Sequence, residues 1–337
     1  MAARRLTRTL TPGPRCRIRR PGPGRPASAP RGIRDPWLNV GGDATHGRVI
    51  GWCRGQVGGA ELSTIEPCPV HAADDDLADL RRTVFHVVIP ALPGSGFSQR
   101  PRKQGWNPAR TARAWAGLMT GLGHQRFGAH GGDWGASVSA ELARLAPERV
   151  VGLHLTMPHA SPLPGDIATA DGAEQAMIAK REEFVRGGMV HVMLQGLRPQ
   201  TLGYSLLDSP AGLAAWLGEH LDLFAEDNGV AQQRQIDNIA LYWFTATGAA
   251  AARWYWESAM RWTPQTAEEQ NAQTVTVPTA FTLFPAEPFP TAKRWAEHRH
   301  KNIIAWNEMD PGGHYPGWEH PDVLVSEVRG AFRTLRG

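Results

Sequence analysis

Apolar and polar positions follow two periods from residue 85 onward. The run "FHVVIP" (85–90) is short, β-branched and stopped by proline, which predicts a buried parallel strand. After the turn-rich "ALPGSGFS", the segment "NPARTARAWAGLMTGLG" (107–123) carries the helical period behind an Asn107 cap with proline in its first turn. "QRFGAHGG" predicts a second strand, 136–146 a second helix and "RVVGLHLTMP" (149–158) a third strand. Strand, helix, strand, helix, strand is the order of an α/β fold with a doubly wound, mostly parallel sheet.

From about residue 160 to 270 the alternation gives way to helical patterns. "DSPAGLAAWLGEHL" opens on an Asp/Ser cap followed by proline, and the section is rich in aromatics, among them Trp216, Trp243, Trp254 and Trp256. Strands resume at "VPTAFTLFP" (277–285) and "NIIAWNEM" (302–309), with helices around 290–299 and from about 321. The expected organisation is one half of an α/β core over 84–159, a helical insertion over 160–270 and the second half over 271–337.

Residues 1–83 do not share this texture. The first 34 carry ten arginines and no acid, with abundant proline and glycine and no apolar run of the kind a secretory signal needs. An irregular or disordered leader is expected there. In residues 35–83 scattered glycines break both periods, and only "DDDLADLRR" (74–82) suggests a short polar helix. Ten of the 36 basic residues sit in the first 34 positions, so the rest of the chain holds 26 basic against 32 acidic residues, a net of −6. The bulk of the protein therefore has no electrostatic case for nucleic acid. Cys16, Cys53 and Cys68 lie in the first quarter without metal-ligand spacing, which suits a reducing cytoplasm. No apolar run is long enough to span a bilayer, so a soluble cytoplasmic protein without a membrane anchor is expected. Oligomeric state leaves no trace in the sequence.

One turn carries chemistry. In "GGDWGASVSAELARL" (131–145), Gly131, Gly132 and Gly135 surround Asp133 between a strand and a helix. Small residues at such a turn allow a sharply exposed side chain at the carboxyl edge of the sheet, where ligands bind in open α/β folds. The backbone N–H of Trp134 then sits at a helix N-terminus, available to an oxyanion. A plain N-cap aspartate after a glycine-rich turn would look the same locally, so the partners matter. A carboxylate nucleophile forms an ester, and cleaving it takes a water activated by a base, normally histidine, oriented by a second acid. His314 in "MDPGGHYPGWEHP" and Glu287 in "LFPAEPF" each follow a predicted strand, in the chain order nucleophile, acid, histidine. Of the other histidines near these segments, His320 reads as a surface residue and His130 as one packed in the fold or standing behind the reacting groups.

The blocks "FHVVIPALPGSGFS", "HGGDWGASVSAELARLAPERVVGLHL", "LDSPAGLAAW", "VPTAFTLFPAEPF" and "WNEMDPGGHY" together resemble epoxide hydrolases of the microsomal type. These are α/β-hydrolases with a helical cap, and the resemblance runs from about residue 84 to 335. It implies that Asp133 opens the epoxide ring as nucleophile and that His314, oriented by Glu287, activates the water that cleaves the resulting ester. A vicinal diol is the product, and no cofactor or metal is implied. The segment "AARWYWE" matches the one that carries a family tyrosine donating to the epoxide oxygen, which selects Tyr255. The position of the second donor aligns with His191. The Trp-rich cap suggests a small, bulky, apolar epoxide as substrate, with water as the other reactant and detoxification of foreign compounds as the family role.

The resemblance stops upstream. The family's His-Gly-Trp-Pro-Gly loop, which supplies a second oxyanion N–H, has no counterpart in residues 35–83, and N-terminal strands are expected to be missing or altered. The Arg/Pro/Gly-rich opening is of the kind a GC-rich gene yields in another reading frame, so a frameshift origin for residues 1–83 is one expectation. Losing one oxyanion donor costs on the order of 10²–10³ in rate. Two other readings stay open at this point: a haloalkane dehalogenase-like hydrolase using the same three residues, and a catalytically dead remnant.

Overall fold

The computed structural model describes residues 85–227, 229–258, 269, 273–333 and 335, together with the pairs 51–52 and 67–68. The short helix expected at 74–82 and the rest of residues 1–83, those two pairs apart, lie outside the described residues. Gly51–Trp52 (β1) and Pro67–Cys68 (β2) pair antiparallel, Gly51 opposite Cys68.

The main sheet has four parallel strands in the order β3-β4-β5-β6: Phe127–Gly131, Val150–Leu155, Thr279–Leu283 and Ile303–Glu308. Burial on both faces explains the apolar runs: all of β5 except Leu283 is buried, and in β4 only Val151 is partly exposed. Between the strands run α1 (Pro108–Gly121) and α2 (Asp133–Leu145). The Asn107 side chain caps α1, accepting from the Arg110 N–H at 3.0 Å. Helix α2 starts at Asp133, three residues before the start expected from the sequence, because the glycine-rich turn takes up only one residue. Its face of Ala136, Val138, Ala140, Leu142 and Ala143 packs with Leu153, Leu155 and Phe281 into the main core.

One expected strand is absent. Residues 85–90 form no ladder among the described residues, and β3 is the edge of the sheet. A β-branched run becomes a strand only where a neighbour accepts and donates its backbone hydrogen bonds, and here no described residue does. Gly128 and His130 on β3 are correspondingly exposed.

The insertion is helical throughout its described part: α3 (Pro164–Ala168), α4 (Gly172–Gly187), α5 (Val190–Leu197), α6 (Pro199–Asp208), α7 (Pro210–Phe224), α8 (Gln232–Thr245) and α9 (Gly248–Ser258). As expected, Ser209 caps α7, accepting from the Gly212 N–H at 3.0 Å. Leu206, Leu213 and Ala252 form its core, while Trp254 joins the main core beneath. The second half of the chain adds α10 (Lys293–Glu297), α11 (Pro316–Glu319) and α12 (Pro321–Arg333). Because all four strands run the same way, the segments after β3, β5 and β6 leave from one edge. Asp133, Glu287 and His314 all belong to those segments.

Candidate active site

Gly132 alone separates β3 from α2, so the chain reverses in one residue. Asp133 consequently takes φ +43°, a left-handed conformation that costs a non-glycine residue about 1–2 kcal/mol. The neighbouring glycines are sterically required. A Cβ on Gly131 would stand 2.3 Å from the carbonyl carbon of Gly135, and one on Gly132 would stand 2.5 Å from Thr156 Oγ1. A strained, half-buried aspartate at a helix start goes beyond an ordinary N-cap, whose backbone is extended.

His314 and Glu287 meet. The His314 Nδ1 lies 2.7 Å from Glu287 Oε2, and the Phe289 N–H donates to the other carboxylate oxygen at 3.2 Å. Since the carboxylate accepts, Nδ1 carries the proton and Nε2 is left as the working nitrogen. Burial disfavours the charged imidazole, but the Glu287 carboxylate and its hydrogen bond, helped by Asp133 and Glu319, push His314 up to about 9. Burial likewise opposes ionisation of Glu287, yet His314 and the Phe289 N–H hold it below the usual carboxylate range.

The loop carrying His314 is gripped by the cap. Gly312 takes φ +107°, and a Cβ on Gly313 would stand 2.9 Å from the Phe224 carbonyl oxygen at the end of α7. The His314 N–H donates to that same oxygen at 3.0 Å. Glu319 gathers the N–H groups of Gly313 (2.9 Å), Tyr315 (3.0 Å) and, on the cap side, Glu226. His320, expected at the surface, is part-exposed and bonds the Glu226 carboxylate at 2.6 Å. The cause is the return of the chain after α7 to within reach of α11, which no local pattern announces. His130, at the sheet edge, packs its ring 5.0 Å from that of buried His154, with the two Nδ1 atoms 2.9 Å apart.

Tyr255 lies on α9 with its ring edge-on to Trp134 at 5.2 Å. Burial, then the nearby Asp133 charge, raises its hydroxyl well above the ordinary tyrosine range, so it stays a donor. His191 contacts the same ring at 6.0 Å. Its Nδ1 lies 3.0 Å from the Gly188 carbonyl, an acceptor only, so Nδ1 holds the ring proton. Burial first, then His220, lowers this imidazole to about 4, which leaves Nε2 bare near neutral pH. His191, at the position expected for a second donor, presents an acceptor.

Residues without a signal in the sequence also contribute. His159, after β4, places Nε2 2.6 Å from the Asp133 main-chain carbonyl oxygen. Lys180 on α4 donates to the Glu287 carbonyl at 3.0 Å, tying the acid's loop to the cap. A cavity of about 780 Å³ borders the constellation through Trp134, His159 and Phe289, with Ile178 and Met189 on the cap side. Asp133, Glu287, His314 and Tyr255 do not line it, so this space adjoins the reacting groups rather than enclosing them. Among the described residues no cluster of metal-binding side chains occurs, and no helix is long and apolar enough to cross a membrane.

The chain has relatives among known proteins. A model of the alpha/beta hydrolase fold matches residues 71–321, so the chain belongs to that family. It is 41% identical over 257 residues, 75% of this chain, to a protein of Stigmatella aurantiaca (strain DW4/3-1) named "Putative epoxide hydrolase". To epoxide hydrolase 1 of Sus scrofa it is 31% identical over 273 residues, 73% of this chain. These matches span 57% and 59% of the two relatives' own lengths. Among solved structures, the epoxide hydrolase of Aspergillus niger superposes with a TM-score of 0.65 at 26% identity, over 74% of this chain and 63% of that one. The juvenile hormone epoxide hydrolase of Bombyx mori, with a TM-score of 0.66 at 23% identity over 74% and 64%, shares the fold.

Proposed function

We propose that the chain hydrolyses an apolar epoxide to a vicinal diol through an ester on Asp133. The observation that carries this reading is a strained aspartate on the same sheet edge as a His314–Glu287 pair bonded at 2.7 Å. The similarity to epoxide hydrolases supports it.

In the first step a carboxylate oxygen of Asp133 attacks an epoxide carbon, the carbon–oxygen bond breaks, and the departing alkoxide takes the Tyr255 proton. Tyr255 regains a proton from solvent before the second step, because its phenolate is strongly disfavoured. Esterification also removes the Asp133 charge, one of the groups that raise His314. The imidazolium then releases its proton to solvent more readily, balancing the one taken up by Tyr255, and becomes the base. In the second step His314 Nε2 takes a proton from water, and the hydroxide adds to the ester carbonyl. The Trp134 N–H holds the resulting oxyanion. Collapse expels the diol oxygen, which takes the proton from His314, and the carboxylic acid left on Asp133 passes its own proton to His314, restoring the carboxylate and the imidazolium.

With His191 presenting a bare nitrogen, ring opening rests on Tyr255 as its phenol donor. Incubation of the protein with a styrene oxide-type substrate, with diol quantitation and intact mass, tests the reading. Diol formation together with an adduct that Asp133→Asn abolishes is expected. Neither diol nor adduct would sink it in favour of an inactive member of the family.

A further inference from the structure

His159 is held in an uncommon conformation. It follows β4 with φ +48°, and its Nε2 sits 2.6 Å from the carbonyl oxygen of Asp133, itself at φ +43°. Two left-handed, non-glycine residues joined by one short hydrogen bond are costly to maintain without compensation. The carbonyl can only accept, so Nε2 donates. Burial, first, and the Arg299 charge work against ring protonation, while the Asp133 carboxylate, its backbone hydrogen bond and Glu287 work for it; the balance lies below the ordinary histidine value.

The carbonyl that His159 holds is one end of a planar peptide unit, and the other end is the Trp134 N–H. Gripping the oxygen therefore fixes the direction in which that N–H points. A hydrogen bond to the oxygen also draws electron density along the amide and makes the N–H a stronger donor, as in any hydrogen-bonded chain. We propose that His159 is a positioning residue that orients and polarises the Asp133–Trp134 peptide so that its N–H stabilises the oxyanion formed when the Asp133 ester is hydrolysed. This rests on the epoxide-hydrolase reading above.

The proposal separates the two chemical steps. The oxyanion develops only in ester hydrolysis, so loss of His159 slows that step and spares ring opening. When hydrolysis limits turnover, kcat and KM fall together while kcat/KM, set by binding and alkylation, stays level. A merely structural defect at the turn would lower kcat/KM as well.

The experiment compares wild type with His159→Leu, which lacks a donor, His159→Asn, whose amide is shorter, and His159→Gln, whose amide reaches as far as Nε2. With styrene oxide, Leu and Asn are expected to lower kcat and KM in parallel by about tenfold, a fraction of the loss from removing an oxyanion donor outright. The ester adduct should then dominate the steady-state mass spectrum, and Gln should restore kcat to within about threefold. A fall in kcat/KM at constant KM, or Gln behaving like Leu, would overturn the proposal. The Trp134 amide is read separately by ¹⁵N–¹H spectroscopy without substrate. Its proton should move upfield in Asn or Leu and return in Gln; an unmoved resonance overturns the proposal even if no epoxide is turned over. A wild-type protein that forms neither adduct nor diol, yet shows the amide shift, removes the enzymatic reading and leaves the contact standing.

Discussion

His314 Nδ1 and Glu287 Oε2 lie 2.7 Å apart although 27 residues separate them in the chain. The bond both chooses the tautomer of the imidazole and raises its affinity for a proton. Replacing Glu287 with Gln keeps the shape but removes the charge. The His314 titration, followed by ¹H–¹³C NMR, should shift down from about 9. Ester hydrolysis should slow by about 10² or more, with alkylation retained, as general-base catalysis typically contributes that much.

The same pair predicts an alkaline limb. A histidine whose folded pKa is raised adds stability that is fully present below its unfolded value of 6.5 and is lost as pH rises through about 9. Denaturant midpoints measured from pH 7 to 10 should decline in wild type and decline less in Glu287→Gln.

His300 predicts the acid limb with opposite sign. It is 1% exposed, neither ring nitrogen has a partner among the described residues, and its ring packs edge-on to Phe281 at 5.0 Å. Burial, then the Arg299 charge, lowers it to about 3. Its stabilising share is complete above 6.5 and is lost as pH falls from there toward about 3, at up to about 1.4 kcal/mol per pH unit. His300→Phe should flatten this limb in urea titrations between pH 4 and 7.

Glu319 collects three backbone N–H groups from the His314 loop and the cap. Glu319→Ala leaves them unsatisfied and should cost about 3 kcal/mol, since hydrogen bonds to charged groups contribute about 1.5–3 kcal/mol each and partial hydration offsets the sum. Thermal melting reads the stability. A kcat that falls more than the folded fraction does would show that the loop also fails to present His314.

Gly131→Ala tests the turn itself. The added methyl would meet backbone atoms of Gly135 and Ala136 at 2.3–2.7 Å, with no flexible side chain to yield. Loss of soluble folded protein, or destabilisation of about 3 kcal/mol or more, is expected in expression and melting assays. Gly135→Ala, where nothing lies within 4 Å, should fold normally.

Much of this was legible beforehand because it is local. The Asn107 and Ser209 caps, the period of α1 and α7, and the buried runs of β4 and β5 each depend on residues a few positions apart. The crowded turn at Asp133 announced itself through three glycines, and the order Asp133, Glu287, His314 followed the strands that deliver them. The run at 85–90 failed as a strand because pairing depends on a neighbour, not on the run's own β-branched residues.

The amino-acid sequence by itself determined most of the helices and strands, the run at 85–90 excepted, and which three side chains leave the sheet's carboxyl edge. Hydrogen bonding between i and i+4, alternation of faces and glycine sterics are encoded within a turn or two. Only the tertiary structure decided that His159 holds the Asp133 carbonyl, that Glu319 and His320 latch the cap, and that His191 is an acceptor. Each of these depends on a distance between segments brought together by packing, and a tautomer is set by whichever group packing puts against the ring.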